Sequence, residues 1–124
     1  MNKTVLVIED NEQNMYLTTY LLERNGFKVI QARCGTEGLD LAARVMPDLI
    51  LLDIQLPLMD GYAVARELKK DPDLRAIPIV AVTSYAMSGD RERALAAGCS
   101  GYIEKPINPD TFKNEIEKHL NGVV

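Results

Sequence analysis

The sequence predicts an α/β fold, a doubly wound five-stranded parallel sheet with five helices packed on its two faces. Short apolar runs rich in β-branched residues recur along the whole chain. Segments with the apolar spacing of amphipathic helices separate these runs, and this alternation is typical of parallel sheets. The first, third and fourth runs are apolar nearly throughout, as expected for strands that are covered on both faces.

The apolar runs define the strands in chain order. Each is four to six residues long, and each is followed by turn or helix-starting residues. We predict the five strands at Thr4–Glu9, Lys28–Ala32, Leu49–Asp53, Ile79–Thr83 and Gly101–Glu104.

The apolar spacing between these runs defines the helices. In the second helix one stripe contains Leu39, Ala42, Ala43 and Met46. In the last helix the corresponding stripe contains Phe112, Ile116 and Leu120. His119 stands at the margin of that last stripe, so we expect a half-buried boundary histidine rather than a phosphotransfer residue.

Glycine, proline and asparagine mark the helix ends. Gly26 and Gly98 follow helices, where a residue with positive φ is often needed. Pro47 and Pro72 end helices because proline cannot continue the hydrogen-bond pattern. Asn108 precedes Pro109, which predicts an N-cap followed by a proline in the first helical position.

Length and charge restrict the class of protein. The chain has 124 residues, which suits a single domain over 1–124 with a full hydrophobic core. The net charge of −4 gives little electrostatic support to a nucleic-acid partner. No apolar run approaches the roughly 18 residues of a membrane span. We therefore expect a cytoplasmic protein that binds neither nucleic acid nor membrane.

The two cysteines have neither metal-ligand spacing nor a surrounding disulfide framework. We expect both Cys34 and Cys99 to be small buried side chains of the hydrophobic core. This fits a reducing compartment.

The polar residues at the strand ends are the main functional signal. Right-handed crossovers place the carboxyl ends of parallel strands along one edge, where ligands bind in such sheets. Five polar residues occupy or directly follow those ends: Glu9, Asp10, Asp53, Thr83 and Lys105.

Three carboxylates in one crevice repel each other unless a cation is present. Oxygen ligands without histidine or cysteine favour a hard divalent ion, and we expect Mg²⁺. Asp53 stands alone and is the best candidate for a nucleophile that forms an aspartyl phosphate, whereas Glu9 and Asp10 resemble a metal-holding pair. The ammonium of Lys105 and the hydroxyl of Thr83 suit the oxygens of a transferring phosphoryl group.

Four segments together resemble the receiver domain of two-component response regulators over essentially the whole chain. They are EDN at 9–11, PDLILLDIQLPLMDG at 47–61, AVTSYA at 81–86 and EKPI at 104–107. The resemblance implies the strand order 2-1-3-4-5, as in flavodoxin. It also implies Asp53 as the phosphoacceptor and Mg²⁺, for which Mn²⁺ can substitute, as the cofactor. The implied metal ligands are Asp10, Asp53 and the main-chain carbonyl of Gln55, with Glu9 acting through a water molecule.

The resemblance also assigns residues to signalling. Thr83 and Lys105 would contact the phosphoryl group, and Tyr102 would match the aromatic residue of the conformational switch. The bond before Pro106 would be cis, as the family uses it to aim the lysine.

Two further side chains would flank the path of hydrolytic water: Gln55 and Tyr85. Gln55 could orient that water, whereas the larger Tyr85 should exclude it. We therefore expect a comparatively long-lived phosphoryl group.

Such a protein is not an enzyme beyond assisting its own phosphorylation and dephosphorylation. The implied partner is a histidine kinase or a histidine phosphotransfer protein. A downstream protein would bind the surface formed by the fourth helix, fifth strand and fifth helix, and the protein would be a monomer or weak dimer.

Other functions of the same fold fit less well. The loop EDNEQN lacks the glycines and hydroxyls of a flavin-phosphate site, and no GxGxxG motif is present. An aspartyl phosphatase would need an acid two residues after Asp53, where Gln55 stands. Two alternatives stay open: a receiver-like binding module that is never phosphorylated, and a receiver taken from a hybrid histidine kinase.

Overall fold

The computed structural model describes residues 3–56, 58–83 and 89–120. Within these residues five strands alternate with five helices. In chain order they are β1 (Thr4–Ile8), α1 (Glu12–Arg24), β2 (Lys28–Ala32), α2 (Gly35–Val45), β3 (Leu49–Asp53), α3 (Gly61–Lys70), β4 (Ile79–Thr83), α4 (Asp90–Ala96), β5 (Gly101–Glu104) and α5 (Pro109–Leu120).

The strands form one parallel sheet in the order β2-β1-β3-β4-β5. This confirms the predicted fold class and strand order. The register between β3 and β4 pairs Asp53 with Val82, and the register between β4 and β5 pairs Thr83 with Glu104. The polar residues at the ends of the central strands therefore lie along the same edge.

Each face of the sheet has its own apolar core because side chains alternate along a strand. Helices α1 and α5 cover one face, where Val7 and Leu51 pack with Met15 and Phe112. Helices α2, α3 and α4 cover the opposite face. The second core includes Ile8, Leu52, Val64, Ala81 and Ala94.

Side-chain caps begin the two helices that cover the first face. The Asn11 side chain accepts a hydrogen bond from the backbone N–H of Asn14 at 2.9 Å, which caps α1. The Asn108 side chain accepts one from the N–H of Asp110 at 2.9 Å, next to Pro109 in the first position of α5. The predicted cap at Asn108 is confirmed.

Some sequence expectations differ from the structure at α2. Leu39 and Ala42 face the core as predicted, but Ala43 and Met46 are exposed. The helix ends at Val45, and Met46 adopts a left-handed conformation with φ of 52° that directs the chain away from the helical stripe. The predicted apolar stripe is therefore wrong at two positions, one on an exposed side of the helix and one beyond its end.

Two smaller corrections concern β1 and the cysteines. Strand β1 ends at Ile8 rather than at Glu9, although the N–H of Glu9 still donates to the carbonyl of Ala32 at 2.9 Å. Cys99 is buried as expected. Cys34 is only half-buried, because it occupies the N-cap position of α2 at the surface.

Among the described residues, no helix combines the length and the apolar character needed to cross a membrane.

Candidate functional site

The carboxyl ends of β1, β3, β4 and β5 form the floor of the site. Side chains two residues apart in an extended chain point to the same face, so Glu9 follows Val7 and Asp53 follows Leu51. Both carboxylates therefore lie on the face covered by α1 and α5. Glu9 is 4% exposed and Asp53 is 3% exposed, whereas Asp10 is exposed to solvent. The site therefore combines two buried acids with one at its mouth.

Backbone contacts hold Asp53 at the end of β3. Its Oδ1 accepts a hydrogen bond from the N–H of Gln55 at 2.9 Å. The N–H of Gly61, the first residue of α3, donates to the carbonyl of Ile54 at 2.9 Å. A Cβ at position 61 would lie 2.5 Å from the Cα of Ile54 and 2.6 Å from the carbonyl oxygen of Asp53, so only glycine allows this approach.

Lys105 reaches both buried acids from the end of β5. Its Nζ lies 2.9 Å from Oε1 of Glu9 and 3.4 Å from Oδ2 of Asp53. Its backbone N–H donates to the carbonyl of Thr83 at 2.7 Å, which fixes the start of the following loop. The peptide bond between Lys105 and Pro106 is cis, as predicted.

The acid cluster is compact. Glu9, Asp10 and Asp53 each contribute one carboxylate oxygen to a group whose members all lie within 4.8 Å of one another. Burial raises the pKa of Glu9 to about 7, and the hydrogen bond and charge of Asp53 add to the rise. Lys105 and the N–H of Asn11, which lies 3.2 Å from Oε2 of Glu9, lower this pKa in part.

The donor set fits a hard divalent cation. Three carboxylates supply only oxygen ligands, which Mg²⁺ prefers, and two of them are already confined by the fold. A cation held between them would remove the repulsion that burial makes costly. The predicted role of the Gln55 carbonyl stays a prediction, although the adjacent N–H of that residue contacts Asp53.

Thr83 and Tyr102 lie near each other on neighbouring strands. Thr83 is buried at the end of β4, and Tyr102 pairs with Ala81 two residues earlier. Because paired residues of a parallel sheet share a face, Thr83 and Tyr102 are diagonal neighbours on one face. Tyr102 is half-buried and packs against the core of that face.

Tyr102 also lines the surface between α4, β5 and α5. Two adjoining cavities of about 300 and 320 Å³ lie there. Both are lined by Arg91, Tyr102, Ile103 and Glu115. Tyr102, the predicted aromatic residue of the switch, therefore packs against the core beside Thr83 and also lines a concave surface.

Three further residues singled out from the sequence are Gln55, Tyr85 and His119. The side chain of Gln55 is exposed beside Asp53, and Tyr85 lies outside the described residues. His119 is half-buried at the edge of α5, where its ring packs over Gly101, as expected for a boundary histidine. Burial and the charge of Lys118 lower its pKa.

Sequence reasoning missed Thr18. This residue belongs to the buried face of α1, together with Met15 and Leu22. With Glu9 and Asp53 it lines a small cavity below the acid cluster. The signal in the sequence was a hydroxyl residue in the apolar stripe of a helix that directly follows the acids.

The chain is similar in sequence to proteins of one known family. The model of the response regulator receiver domain family matches residues 5–117. A polar-differentiation response regulator DivK from Brucella ovis is 49% identical over 120 residues, which cover 97% of this chain and 98% of that protein.

Two solved structures are similar in both fold and sequence. The receiver domain of a signal transduction histidine kinase from Syntrophus aciditrophicus has a TM-score of 0.88 and 33% identity, covering 98% of this chain and 92% of that one. The receiver domain of sensor histidine kinase PA1611 from Pseudomonas aeruginosa PAO1 has a TM-score of 0.90 and 31% identity, covering 98% and 99%. That crystal structure is described with a magnesium ion coordinated in the active site cleft.

Proposed function

Since this chain belongs to the response regulator receiver domain family, we propose that Asp53 is its phosphoacceptor. Receiver domains take part in two-component signalling, in which histidine kinases are the partners. The observation that carries the assignment is the position of the Asp53 carboxylate, buried at a strand end with Lys105 at 3.4 Å and two further acids beside it.

The proposed reaction is a transfer from a phosphohistidine to the carboxylate of Asp53. One carboxylate oxygen attacks phosphorus and forms the O–P bond of an acyl phosphate. The P–N bond breaks, and its electron pair returns to the imidazole nitrogen, which takes up a proton from solvent. The N–H of Gln55 on Oδ1 restrains the rotation of the carboxylate, so that the attacking oxygen is positioned in advance.

Lys105 and Thr83 would neutralise and orient the phosphoryl group. The ammonium of Lys105 already lies between the two buried acids and can donate to a phosphoryl oxygen at Asp53. The hydroxyl of Thr83, at the end of the adjacent strand, would donate to a second oxygen. Charge on the transferring group is thereby spread over donors that the fold holds in place.

The residues that would hold Mg²⁺ are Asp10, Asp53 and the backbone carbonyl of Gln55, with Glu9 acting through water. Bound there, Mg²⁺ supplies the positive charge that offsets repulsion between the acids and the phosphoryl oxygens. Mn²⁺ has a similar preference for oxygen ligands and would substitute. The compact acid cluster and the magnesium ion described for the Pseudomonas receiver domain support this assignment.

The proposed output is a change at the surface formed by α4, β5 and α5. Drawing the Thr83 hydroxyl toward the phosphoryl group would free space on the face that it shares with Tyr102. The half-buried ring of Tyr102 would then favour an inward position and reshape the cavities that it lines. A downstream protein that binds this form better would shift the population toward it.

Incubation with acetyl phosphate and Mg²⁺, followed by intact mass measurement, tests the proposal. We expect one phosphoryl group on the wild type and none on Asp53→Asn. Asp73→Asn is the matched control, because Asp73 is an exposed acid in the loop that leads into the amino end of β4, whereas the acid cluster lies at the carboxyl ends of the strands. No mass gain under saturating donor would instead favour a receiver-like binding module that is never phosphorylated.

A further inference from the structure

A small cavity lies directly below the acid cluster, between the sheet and α1. Its volume is about 10 Å³, which is close to the space required by a single water molecule. The residues that line it are Val7, Ile8, Glu9, Thr18, Leu51, Asp53 and Val82. Three of these carry polar side chains, and the remainder are aliphatic.

Thr18 is the polar residue that α1 contributes to this cavity. It is only 5% exposed and stands among the core residues of the helix. Within the described part of the chain, no hydrogen bond joins its hydroxyl to another group. Among the described residues no fully buried side-chain oxygen or nitrogen lacks a hydrogen-bond partner, so the Thr18 oxygen keeps some surface that a water molecule can reach. The cavity that Thr18 lines has space for such a water.

The two carboxylates that line the cavity retain acceptor capacity. Lys105 and the N–H of Asn11 contact one oxygen each of Glu9, while Lys105 and the N–H of Gln55 contact one oxygen each of Asp53. Each carboxylate oxygen can accept two hydrogen bonds, so these contacts leave sites on both acids. The hydrogen bond between Glu9 and Asp53 uses one further site and still leaves lone pairs on both acids. The cavity therefore offers the hydroxyl of Thr18 as a donor and the two carboxylates as acceptors.

We propose that Thr18 holds one buried water molecule in this cavity and thereby positions the phosphoacceptor. The water accepts a hydrogen bond from the Thr18 hydroxyl and donates one hydrogen to Glu9 and the other to Asp53. Its two donors and its lone pairs match the three groups that line the cavity. Thr18 is therefore a positioning residue that acts on Asp53 through the water.

The water would hold the Asp53 side chain from below. Gln55 contacts this carboxylate from the loop after β3, and Lys105 contacts it from the end of β5. The water would add a third hydrogen-bonding contact, from the interior of the protein. The rival explanation is that Thr18 fills the core as a valine of the same shape would. The two explanations differ in whether the hydroxyl matters, which one substitution can decide.

The first test detects the water itself. Water-selective NOE and ROE spectra at neutral pH, without phosphoryl donor, should show a long-lived water near the amide of Glu9 in the wild type. Thr18→Val keeps the shape and should abolish the signal, whereas Thr18→Ser keeps the hydroxyl and should retain it. Absence of the signal from the wild type, or its persistence in Thr18→Val, would overturn the proposal.

The second test measures the consequence for phosphorylation, and only this part depends on the proposed function. At saturating Mg²⁺ we expect Thr18→Val to lower the initial rate with acetyl phosphate about fivefold, because a water-mediated contact to a charged group is lost. Thr18→Ser should restore most of that rate. Thr19→Val is the matched control, since its hydroxyl contacts Gln31 at the surface rather than the cavity.

The outcomes separate the two proposals. Equal rates for wild type and Thr18→Val would show that Thr18 does not position Asp53. A wild type that gains no phosphoryl group would contradict the proposed function instead, and the water signal alone would then decide on the buried site.

Discussion

The ammonium of Lys105 lies 2.9 Å from Oε1 of Glu9, a contact that joins the end of β5 to the end of β1 across the two strands between them. Both side chains are largely buried, with 12% and 5% exposed. Removing one partner of such a pair leaves an uncompensated buried charge. Protonation, cation binding and phosphoryl transfer therefore involve the same few atoms of this site.

The first prediction concerns pH and stability. Burial, with the hydrogen bond and charge of Asp53, raises the pKa of Glu9 from 4.5 to about 7 in the folded protein. Between these values the folded state binds more protons than the unfolded state, so the free energy of unfolding falls as pH rises. For Glu9 the fall amounts to roughly 3 kcal/mol across this window, by linkage. Urea unfolding at several pH values measures it.

Glu9→Gln isolates this contribution, since glutamine has no proton to lose. Its free energy of unfolding should fall less steeply than that of the wild type from pH 4.5 to 7. Saturating Mg²⁺ should reduce the slope of the wild type, because the cation favours the ionised carboxylate. Identical slopes for wild type and Glu9→Gln would contradict the assignment of the titration to Glu9.

The second prediction ranks the metal ligands. We expect Glu9→Ala to weaken Mg²⁺ binding about tenfold, as is usual for a residue that acts through water, and Asp10→Ala to weaken it further. Asp10 is the proposed direct ligand, and it stands exposed at the mouth of the cluster. Isothermal titration calorimetry gives both affinities. Equal losses of Mg²⁺ affinity in the two variants would contradict the proposal that Asp10 binds the ion directly and Glu9 through water.

The third prediction concerns the conformational switch. Beryllofluoride, a mimic of the phosphoryl group, should shift amide NMR signals from the site as far as β5 and Lys105 when Mg²⁺ is present. Thr83→Ala should confine the shifts to the neighbours of Asp53, whereas Thr83→Ser keeps the hydroxyl and should preserve their spread to Tyr102. Shifts that stay local in the wild type would rule out the proposed coupling.

The fourth prediction concerns the lifetime of the phosphoryl group. We expect Tyr85→Ala to lose the group several-fold faster than the wild type, since a large apolar ring excludes water from its surroundings. Gln55→Ala should change the rate little, because orienting a water has no effect where none can reach the bond. Dephosphorylation after removal of the donor measures both rates, and unchanged loss in Tyr85→Ala would exclude a steric gate.

Much of the fold was predictable because its signals are local. The runs that became β3 and β4 are buried along their whole length, and the bounds of both strands agree with the prediction. Pro47 marked the end of α2, but the exposure of Met46 was not predictable, because the apolar stripe continues in the sequence while this residue adopts a left-handed conformation beyond the helix. Strand β1 was predicted one residue too long, because it ends at Ile8 although Glu9 still donates a hydrogen bond to the neighbouring strand.

Most residues of the site could be predicted from the sequence, but the contacts between them could not. Topology alone places Asp53 and Lys105 at one edge of the sheet. That Lys105 approaches Glu9 more closely than Asp53 depends on side-chain packing, which no sequence spacing reveals. Thr18 was overlooked because the sequence does not show whether a threonine in an amphipathic helix is exposed or contacts polar groups. That depends on its neighbours across the core.

Direct location of the phosphoryl group tests the central claim, that Asp53 is the phosphoacceptor. Borohydride reduces an aspartyl phosphate to homoserine, so treatment of the protein phosphorylated in Mg²⁺ marks the modified residue permanently. Peptide sequencing by mass spectrometry should then find homoserine at position 53, and omission of the phosphoryl donor should leave aspartate there. Homoserine at position 10, or at any other acid with position 53 unchanged, would contradict the account.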